Sequence, residues 1–298
     1  MKPGTLSPAV RPSAAVGALA LLCALAPAPA RADLVLPRIS PNASLKQTIG
    51  ITEFAVTYSR PGVKGRAIWG ALVPYGQPWR SGANEATTFS TSDDVLVDGQ
   101  KLAAGTYSFF TIPAAEGPWT VIFSTQKELW GAYEYDPKQD ALRIQATPAA
   151  AGEPTEWMQY SFEDLTPNSA NLVLRWEKTK LAVPIAVDVN GITLAKARTE
   201  LGQAKADDWR TRLRAAQFTF DNAVAMDEGA KWLDESIAIQ PGYGNMNLKA
   251  RWLAKSGDTK GAATAAKKAL ELNKAATTPA DASALEALLA EWTGKKKK

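Results

Sequence analysis

The chain has 298 residues, with 34 basic and 30 acidic side chains, no histidine and a single cysteine, Cys23. The lack of histidine excludes a Ser-His-Asp triad, histidine-ligated zinc and histidine-held haem. One cysteine excludes an intrachain disulfide. Carboxylate acid–base chemistry, a Ser-Lys pair, Tyr or Asp nucleophiles and all-oxygen cation sites remain. No cofactor is expected.

Residues 1–32 have the three-part layout of a secretory signal peptide. A weakly basic start precedes an apolar core at residues 14–26, and Ala30 and Ala32 place small residues at the positions that determine cleavage. The apolar core is shorter than the roughly 20 residues that span a bilayer. We therefore expect cleavage after Ala32, no transmembrane segment, and a periplasmic or secreted protein.

Cleavage also changes the charge and removes the thiol. Lys2, Arg11, Arg31 and Cys23 leave with the signal, so 31 basic residues face 30 acidic residues in the mature chain. Nucleic-acid binding needs a basic face, and the near-neutral balance does not predict one. The four lysines at 295–298 are interpreted as a solvated tail.

After a predicted N-terminal linker at residues 33–42, residues 43–189 alternate apolar and polar side chains with the period of two that marks half-buried strands. Asp98-Gly99 lies between two apolar stretches and predicts a hairpin. Eight or more short strands without helical segments predict an all-β antiparallel sandwich or jelly-roll-like domain. Residues 147–154 are interpreted as a loop, and residues 172–176 and 181–187 as two separate strands.

Residues 190–294 have the alanine, leucine, lysine and glutamate composition of helices, after an interruption at Asn190-Gly191. A helix is predicted to open at Asp207-Asp208, and three more at residues 227–239, 247–255 and 260–273. The pair around Gly257 resembles a tetratricopeptide repeat, with Ala262 at the small position and Pro241 closing the previous unit. This all-α, TPR-like region is interpreted as a protein-interaction surface, or alternatively as a capping helical tail.

About half of the chain resembles one family. The matching blocks are SPNAS at 40–44, VTYSRPGVKGR at 56–66, LVPYGQPWRSGANEAT at 72–87, LAAGTYSFFTIP at 102–113, WTVIF at 119–123 and WGAY at 130–133. They are similar to the DUF2911 family of exported bacterial proteins of unknown function. The resemblance implies the fold and an exported location, and it implies no activity.

Residues 58–87 combine glycines and prolines with cations and large aromatic side chains, which is typical of a rigid binding loop. Arginine supplies forked donors for carboxylate, phosphate or sugar hydroxyls. The predicted ligand site has three donors, two orienting groups and two aromatic walls, namely Arg60, Arg66, Arg80, Asn84, Glu85, Trp69 and Trp79. The alternative is a buried Arg80–Glu85 ion pair that fixes the loop, with both tryptophans in the core.

Other residues suggest further roles. Glu85 with Glu53, Asp93 or Asp94 would supply the paired carboxylates of a glycosidase. Asp93, Asp94 and Asp98 could in principle bind Ca²⁺. They do not match the DxDxDG loop, so no metal site is predicted. The aromatic cluster at residues 130–135 is interpreted as a loop that covers the core.

Two functional hypotheses follow. The first is a non-enzymatic ligand-binding or scaffold protein of the cell envelope, with a glycan or an anionic small molecule at the Arg/Trp-rich loop and a protein partner on the helical hairpins. The second is a periplasmic hydrolase that acts on glycans through paired carboxylates.

Overall fold

The computed structural model describes Met1, Gly4 and residues 36–294. The predicted cleavage site after Ala32, the thiol of Cys23 and the lysine tail lie outside the described residues, so the predictions about them stay predictions. None of the helices in the described part is long and apolar enough to cross a membrane.

Ten strands form the first part of the described chain. They are β1 (Asn42–Ile49), β2 (Thr52–Ser59), β3 (Thr88–Thr91), β4 (Val95–Val97), β5 (Gln100–Leu102), β6 (Gly105–Ile112), β7 (Trp119–Ser124), β8 (Asp140–Ala146), β9 (Ala149–Glu163) and β10 (Ser169–Ala186). All pairings between them are antiparallel.

The strands make two sheets, a six-stranded sheet in the order β1-β2-β3-β6-β7-β8 and a four-stranded sheet in the order β5-β4-β10-β9. One core draws residues from both sheets, for example Phe54, Phe89 and Phe123 from the larger sheet and Leu172 and Trp176 from the smaller one. In strands such as β2 and β4, alternate residues are buried, as the period of two predicted. The fold class, a β domain followed by helices, is confirmed.

The predicted hairpin at Asp98-Gly99 is confirmed. Val97 pairs with Gln100 across this two-residue turn. Both central residues have positive φ, 48° at Asp98 and 73° at Gly99. Such a turn matches the right-handed twist of the strands, and aspartate followed by glycine adopts it at low cost.

Two assignments in the smaller sheet were wrong. The predicted loop at 147–154 belongs mostly to β9, and the two predicted strands at 172–176 and 181–187 are one continuous strand, β10. The register shifts on either side of Glu177, which has a φ of 54° and interrupts the alternation. Pro154 lies in this irregular stretch of β9, and proline is tolerated at bulges and in edge strands such as this one.

The larger sheet also carries apolar residues on its outer face. Phe110 of β6 and Ile122 of β7 are fully buried there, against Ala86 and Leu129. The loop that joins β7 to β8 covers them. The apolar character of both faces of β6 therefore has a structural cause, and this loop does cover part of the core as predicted.

Six helices follow the strands. They are α1 (Val189–Gln203), α2 (Trp209–Asn222), α3 (Met226–Ile239), α4 (Tyr243–Lys255), α5 (Thr259–Lys274) and α6 (Ser283–Trp292). Four of them correspond to the predicted helices, whereas α1 and α6 were not predicted. The interruption predicted at Asn190-Gly191 is wrong, because the Asp188 side chain accepts a hydrogen bond from Gly191 N at 3.0 Å and caps the first turn of α1.

The helices pack in sequence order and contact the β domain through α1. Val189 and Ile192 lie against the core of the sandwich. Lys196 forms an ion pair with Asp93 at 2.8 Å. The first turns of α1 are therefore fixed to the β domain by apolar and charged contacts.

An ion-pair cluster joins β9 to β10 and predicts a response to acid. Arg175 and Lys180 hold Glu163 at 2.7 and 3.0 Å. Hydrogen bonding by Arg175 is the main cause that lowers the pKa of Glu163 from 4.5 to about 2. A depressed carboxyl pKa stabilises the fold above the unfolded pKa, and this stability is lost as the pH falls from about 4.5 towards 2.

We expect Glu163→Gln to cost about 2–3 kcal/mol of unfolding free energy at pH 6 and almost nothing at pH 2. Urea unfolding at several pH values measures the difference. Glu116→Gln, in an exposed loop, is the matched control and should show no such convergence with the wild type. A Glu163→Gln cost that stays constant from pH 6 to pH 2 would contradict this linkage.

Candidate functional site

A cleft of about 220 Å³ opens at one end of the sandwich, beside the loop between β2 and β3. Its lining contains three cationic side chains and no carboxylate. The lining residues are Ile39, Ser40, Pro61, Gly62, Lys64, Arg66, Leu72, Val73, Trp79, Arg80, Gly82, Ala83 and Trp176. The cleft is thus positively charged with an apolar, aromatic floor.

Arg80 is the most unusual group of the cleft. Its Nε atom is buried and has no hydrogen-bond partner among the described residues. Burial lowers the pKa of the guanidinium, and the phenol of Tyr133 acts in the opposite direction. Because arginine stays protonated in proteins, the cleft contains a charge that is partly desolvated and incompletely paired.

The chain on either side of Arg80 is held firmly. Trp79 exchanges backbone hydrogen bonds with Thr111 at 2.7 and 2.9 Å. The carbonyl oxygen of Ser81 accepts hydrogen bonds from Tyr160 Oη and from Thr87 Oγ1, each at 2.9 Å. The backbone on both sides of Arg80 is therefore held in place by hydrogen bonds.

The tryptophans make the floor of the cleft and part of the core at once. Trp79 stacks on Trp176 with ring centroids 5.7 Å apart, and Trp69 meets both rings edge-on. Trp79 and Trp176 line the cleft, whereas Trp69 does not. Trp79 therefore has both the wall position predicted for it and the core position of the alternative interpretation, whereas Trp69 has only the core position.

The Trp176 indole adds a second donor without a partner. Its Nε1 atom is buried and has no acceptor among the described residues. The sequence analysis assigned Trp176 only to a predicted strand, and its place in the cleft depends on the packing of the two sheets.

Lys64 and Arg66 complete the cationic side. Arg66 donates hydrogen bonds to the carbonyl oxygens of Val63 and Gly62 at 3.1 and 2.5 Å. The Lys64 Nζ lies 5.6 Å from the ring centre of Trp157. Lys64 was not among the predicted site residues, although it belongs to the same glycine- and proline-rich segment.

Arg60 lies outside this cleft. Its Nε atom donates to the carbonyl oxygen of Met158 at 2.9 Å, which ties the end of β2 to β9. The side chain does not line the cleft. The structure therefore gives Arg60 a structural contact rather than the donor position predicted for it.

Asn84 and Glu85 lie beside the cleft. Asn84 Nδ2 donates to the carbonyl oxygen of Ser40 at 3.2 Å. Glu85 accepts hydrogen bonds from Arg38 on both carboxylate oxygens, at 2.8 and 2.7 Å. The ion pair predicted between Arg80 and Glu85 is wrong, because Glu85 pairs with Arg38, 47 residues earlier in the chain.

Glu85 does not have the environment of a catalytic acid. Burial raises its pKa, but the hydrogen bonds from Arg38, its own backbone and Ser59 together with the Arg38 charge outweigh this, so the pKa is lowered. A general acid needs a raised pKa.

The other acidic candidates have structural partners. Asp93 accepts hydrogen bonds from Thr52 and Ser92 at 3.0 and 2.8 Å and pairs with Lys196. Asp94 accepts a hydrogen bond from Ala104 N at 2.8 Å.

A larger cavity, of about 540 Å³, lies between this loop and α1, but the polar groups that line it are largely paired. Among the described residues, no group of three or more His, Cys, Asp or Glu side chains is arranged for a metal ion.

One protein family matches the part of the chain that forms the β domain. A family described as protein of unknown function (DUF2911) matches residues 40–185. This segment is similar to the DUF2911 family. The DUF2911 match ends one residue before the end of β10, so it contains all other strand residues and nearly all of the cleft lining.

The helices lie beyond the DUF2911 match, and the tetratricopeptide resemblance stays a prediction. A search of curated proteins found no match. A search of solved structures found none either.

Proposed function

We propose that this protein is an exported, non-enzymatic binding protein whose DUF2911 segment captures a small anion in the cationic cleft. The observation that carries the proposal is the buried, unpartnered Nε of Arg80 in a cleft that no carboxylate lines. Export is proposed from the signal-peptide layout of residues 1–32.

The donors of the cleft define the chemistry of the ligand. Arginine and lysine only donate hydrogen bonds, and so does the indole of Trp176. A carboxylate or phosphate only accepts, and an arginine pairs with it through charge-assisted bonds. Such a ligand would partner Arg80 and offset the cost of burying its charge, which an uncharged ligand would do less well.

The hydrolase hypothesis has less support. It required Glu85 as one of two carboxylates, but Glu85 is engaged by Arg38 and has a lowered pKa. The binding function needs no proton donor, and two groups of the cleft, Arg80 Nε and Trp176 Nε1, have no hydrogen-bond partner among the described residues.

The helical region is proposed as the part that contacts a protein partner. Every large exposed hydrophobic side chain among the described residues lies before residue 166. A partner of the helices would therefore meet a polar, charged surface, such as the one formed by the ion pairs of Arg198 with Glu228 and Lys249 with Asp234.

Arg80→Met tests the cleft directly. The change keeps the length of the side chain and removes the charge and the unpaired donor. Because hydrogen bonds to charged groups contribute about 1.5–3 kcal/mol, we expect at least about a tenfold loss of affinity for citrate and inorganic phosphate. Isothermal titration calorimetry measures the affinity, and thermal unfolding without ligand should show no loss of stability.

Lys46→Met is the matched control, since it removes one positive charge from an exposed position of β1. It should bind both anions as the wild type does. Equal binding by wild type and Arg80→Met, or no binding of any anion by the wild type, would refute the proposed site.

Export has a separate readout. When the full chain is expressed with its first 32 residues, we expect the protein in the envelope fraction to begin at Asp33. N-terminal sequencing of the fractionated protein decides this. An intact precursor in the cytosol would contradict export and leave the binding measurement unaffected.

A further inference from the structure

Two aromatic side chains project from the loop between β7 and β8. Trp130 is 62% exposed and Tyr133 is 87% exposed, which is unusual for rings of this size. Their neighbours Leu129 and Ala132 pack inward against Phe110 and the outer apolar face of the larger sheet. The loop thus buries one side and presents two rings on the other. We call Trp130 and Tyr133 the aromatic platform.

The platform is held in place. A Cβ atom at Gly131, which has a φ of 73°, would lie 2.7 Å from Cε2 of Tyr133, so this ring lies against the main chain. Gln126 braces the loop by donating to the carbonyl oxygen of Glu134 at 3.0 Å and accepting from Asp136 N at 2.7 Å. A fixed ring loses little conformational entropy when a ligand stacks on it.

Asn84 connects the platform to the cationic cleft. Its carbonyl oxygen accepts a hydrogen bond from Gly131 N at 3.1 Å, next to Trp130. Its amide donates to the carbonyl oxygen of Ser40, which lines the cleft, as does the adjacent Ala83. Asn84 therefore links the loop that carries the platform to the lining of the cleft.

The charged groups support the same continuity. The backbone of Glu85 forms a β-bridge with Trp130 of the platform. The exposed ion pair of Glu85 with Arg38 adds hydrogen-bond donors and acceptors near the platform and the cleft. The surface thus combines a cationic pocket, polar groups and flat apolar rings.

We infer that the cleft and the aromatic platform form one extended site for an acidic saccharide, with its carboxylate or phosphate in the cleft and a sugar ring on Trp130 and Tyr133. The inference rests on the proposed function, because it needs an anion at Arg80. Aromatic rings cover the apolar face of a pyranose, while a few polar groups fix its orientation. The exposed Arg38–Glu85 pair offers partners for the hydroxyl groups.

Calorimetry on the mature protein tests this with four probes, namely trigalacturonate, glucose 6-phosphate, maltotriose and inorganic phosphate. We expect at least one of the two acidic sugars to bind more tightly than phosphate, which has no ring, and than maltotriose, which has no charge. Trp130→Ala combined with Tyr133→Ala should weaken the acidic sugar about tenfold and leave phosphate unchanged. Arg80→Met should weaken both the acidic sugar and phosphate.

Leu165→Ala is the control for the platform variant, because it removes another exposed apolar side chain and should change nothing. Acidic-sugar binding that survives the double substitution, or that is no tighter than phosphate binding, would overturn the inference and leave the anion site standing. Failure of all four probes would remove both. Self-association of the wild type that the double substitution abolishes would instead identify the platform as a protein interface and overturn the inference.

Discussion

Replacing Trp176 with alanine is expected to lower the free energy of unfolding by about 3–5 kcal/mol, the range for losing a buried aromatic side chain. The indole is almost fully buried and contacts Trp79 and Trp69, with ring centroids 5.7 and 5.8 Å away. Because it lies between the floor of the cleft and the core, its loss would leave a cavity that the surrounding strands cannot close.

Urea unfolding followed by circular dichroism measures this loss, and Trp176→Phe is the matched variant. Phenylalanine keeps much of the apolar surface and removes an indole N–H that has no acceptor among the described residues. It should therefore cost less than half as much as alanine. An equal cost for both substitutions, or an alanine variant within 1 kcal/mol of the wild type, would show that Trp176 does not support the packing in this way.

Gly229→Ala is expected to destabilise the helical region, although the same change in most helices is favourable by up to about 1 kcal/mol. A Cβ atom at this position would lie 1.8 Å from Oγ1 of Thr219 and 2.9 Å from the ring of Trp252. Thr219 is fully buried, and its hydroxyl donates to the carbonyl oxygen of Ala216 at 2.8 Å. The expected cost is about 1–3 kcal/mol, as for other overpacked positions.

Gly202→Ala in α1 provides the contrast, because no atom lies within 4 Å of its added Cβ. It should leave stability unchanged or raise it. Thr219→Ala should reverse part of the Gly229→Ala cost in the double variant, since it removes the closest atom. Thermal and urea unfolding of the four proteins measure these effects, and a stabilising Gly229→Ala would contradict the close approach of α2 and α3.

The regular parts of the fold follow from local sequence. The hairpin at Asp98-Gly99 needs only two residues with positive φ, and Asp208 caps α2 as the predicted helix start requires, with its side chain accepting from Thr211 N at 3.1 Å. In contrast, α1 begins with a valine, an asparagine and a glycine, which form helices poorly. Its first turn is stabilised by the Asp188 cap, a local signal that the prediction missed, and by packing of Ile192 on the sandwich, which the local pattern does not show.

The candidate site was predicted in part for the same reason. Arg66, Trp79 and Arg80 belong to one rigid segment, so their proximity follows from the sequence. The pairing of Glu85 with Arg38 depends on how the N-terminal approach to β1 lies across the loop, and the position of Trp176 depends on how the two sheets face each other. Contacts across long sequence separations of this kind require the folded structure.

Only Val187 and Asp188 separate β10 from α1, and Val187 is itself buried in the sandwich. No long linker therefore separates α1 from β10, the strand that carries Trp176. A shift of the end of β10 would therefore be passed directly to the first turn of α1.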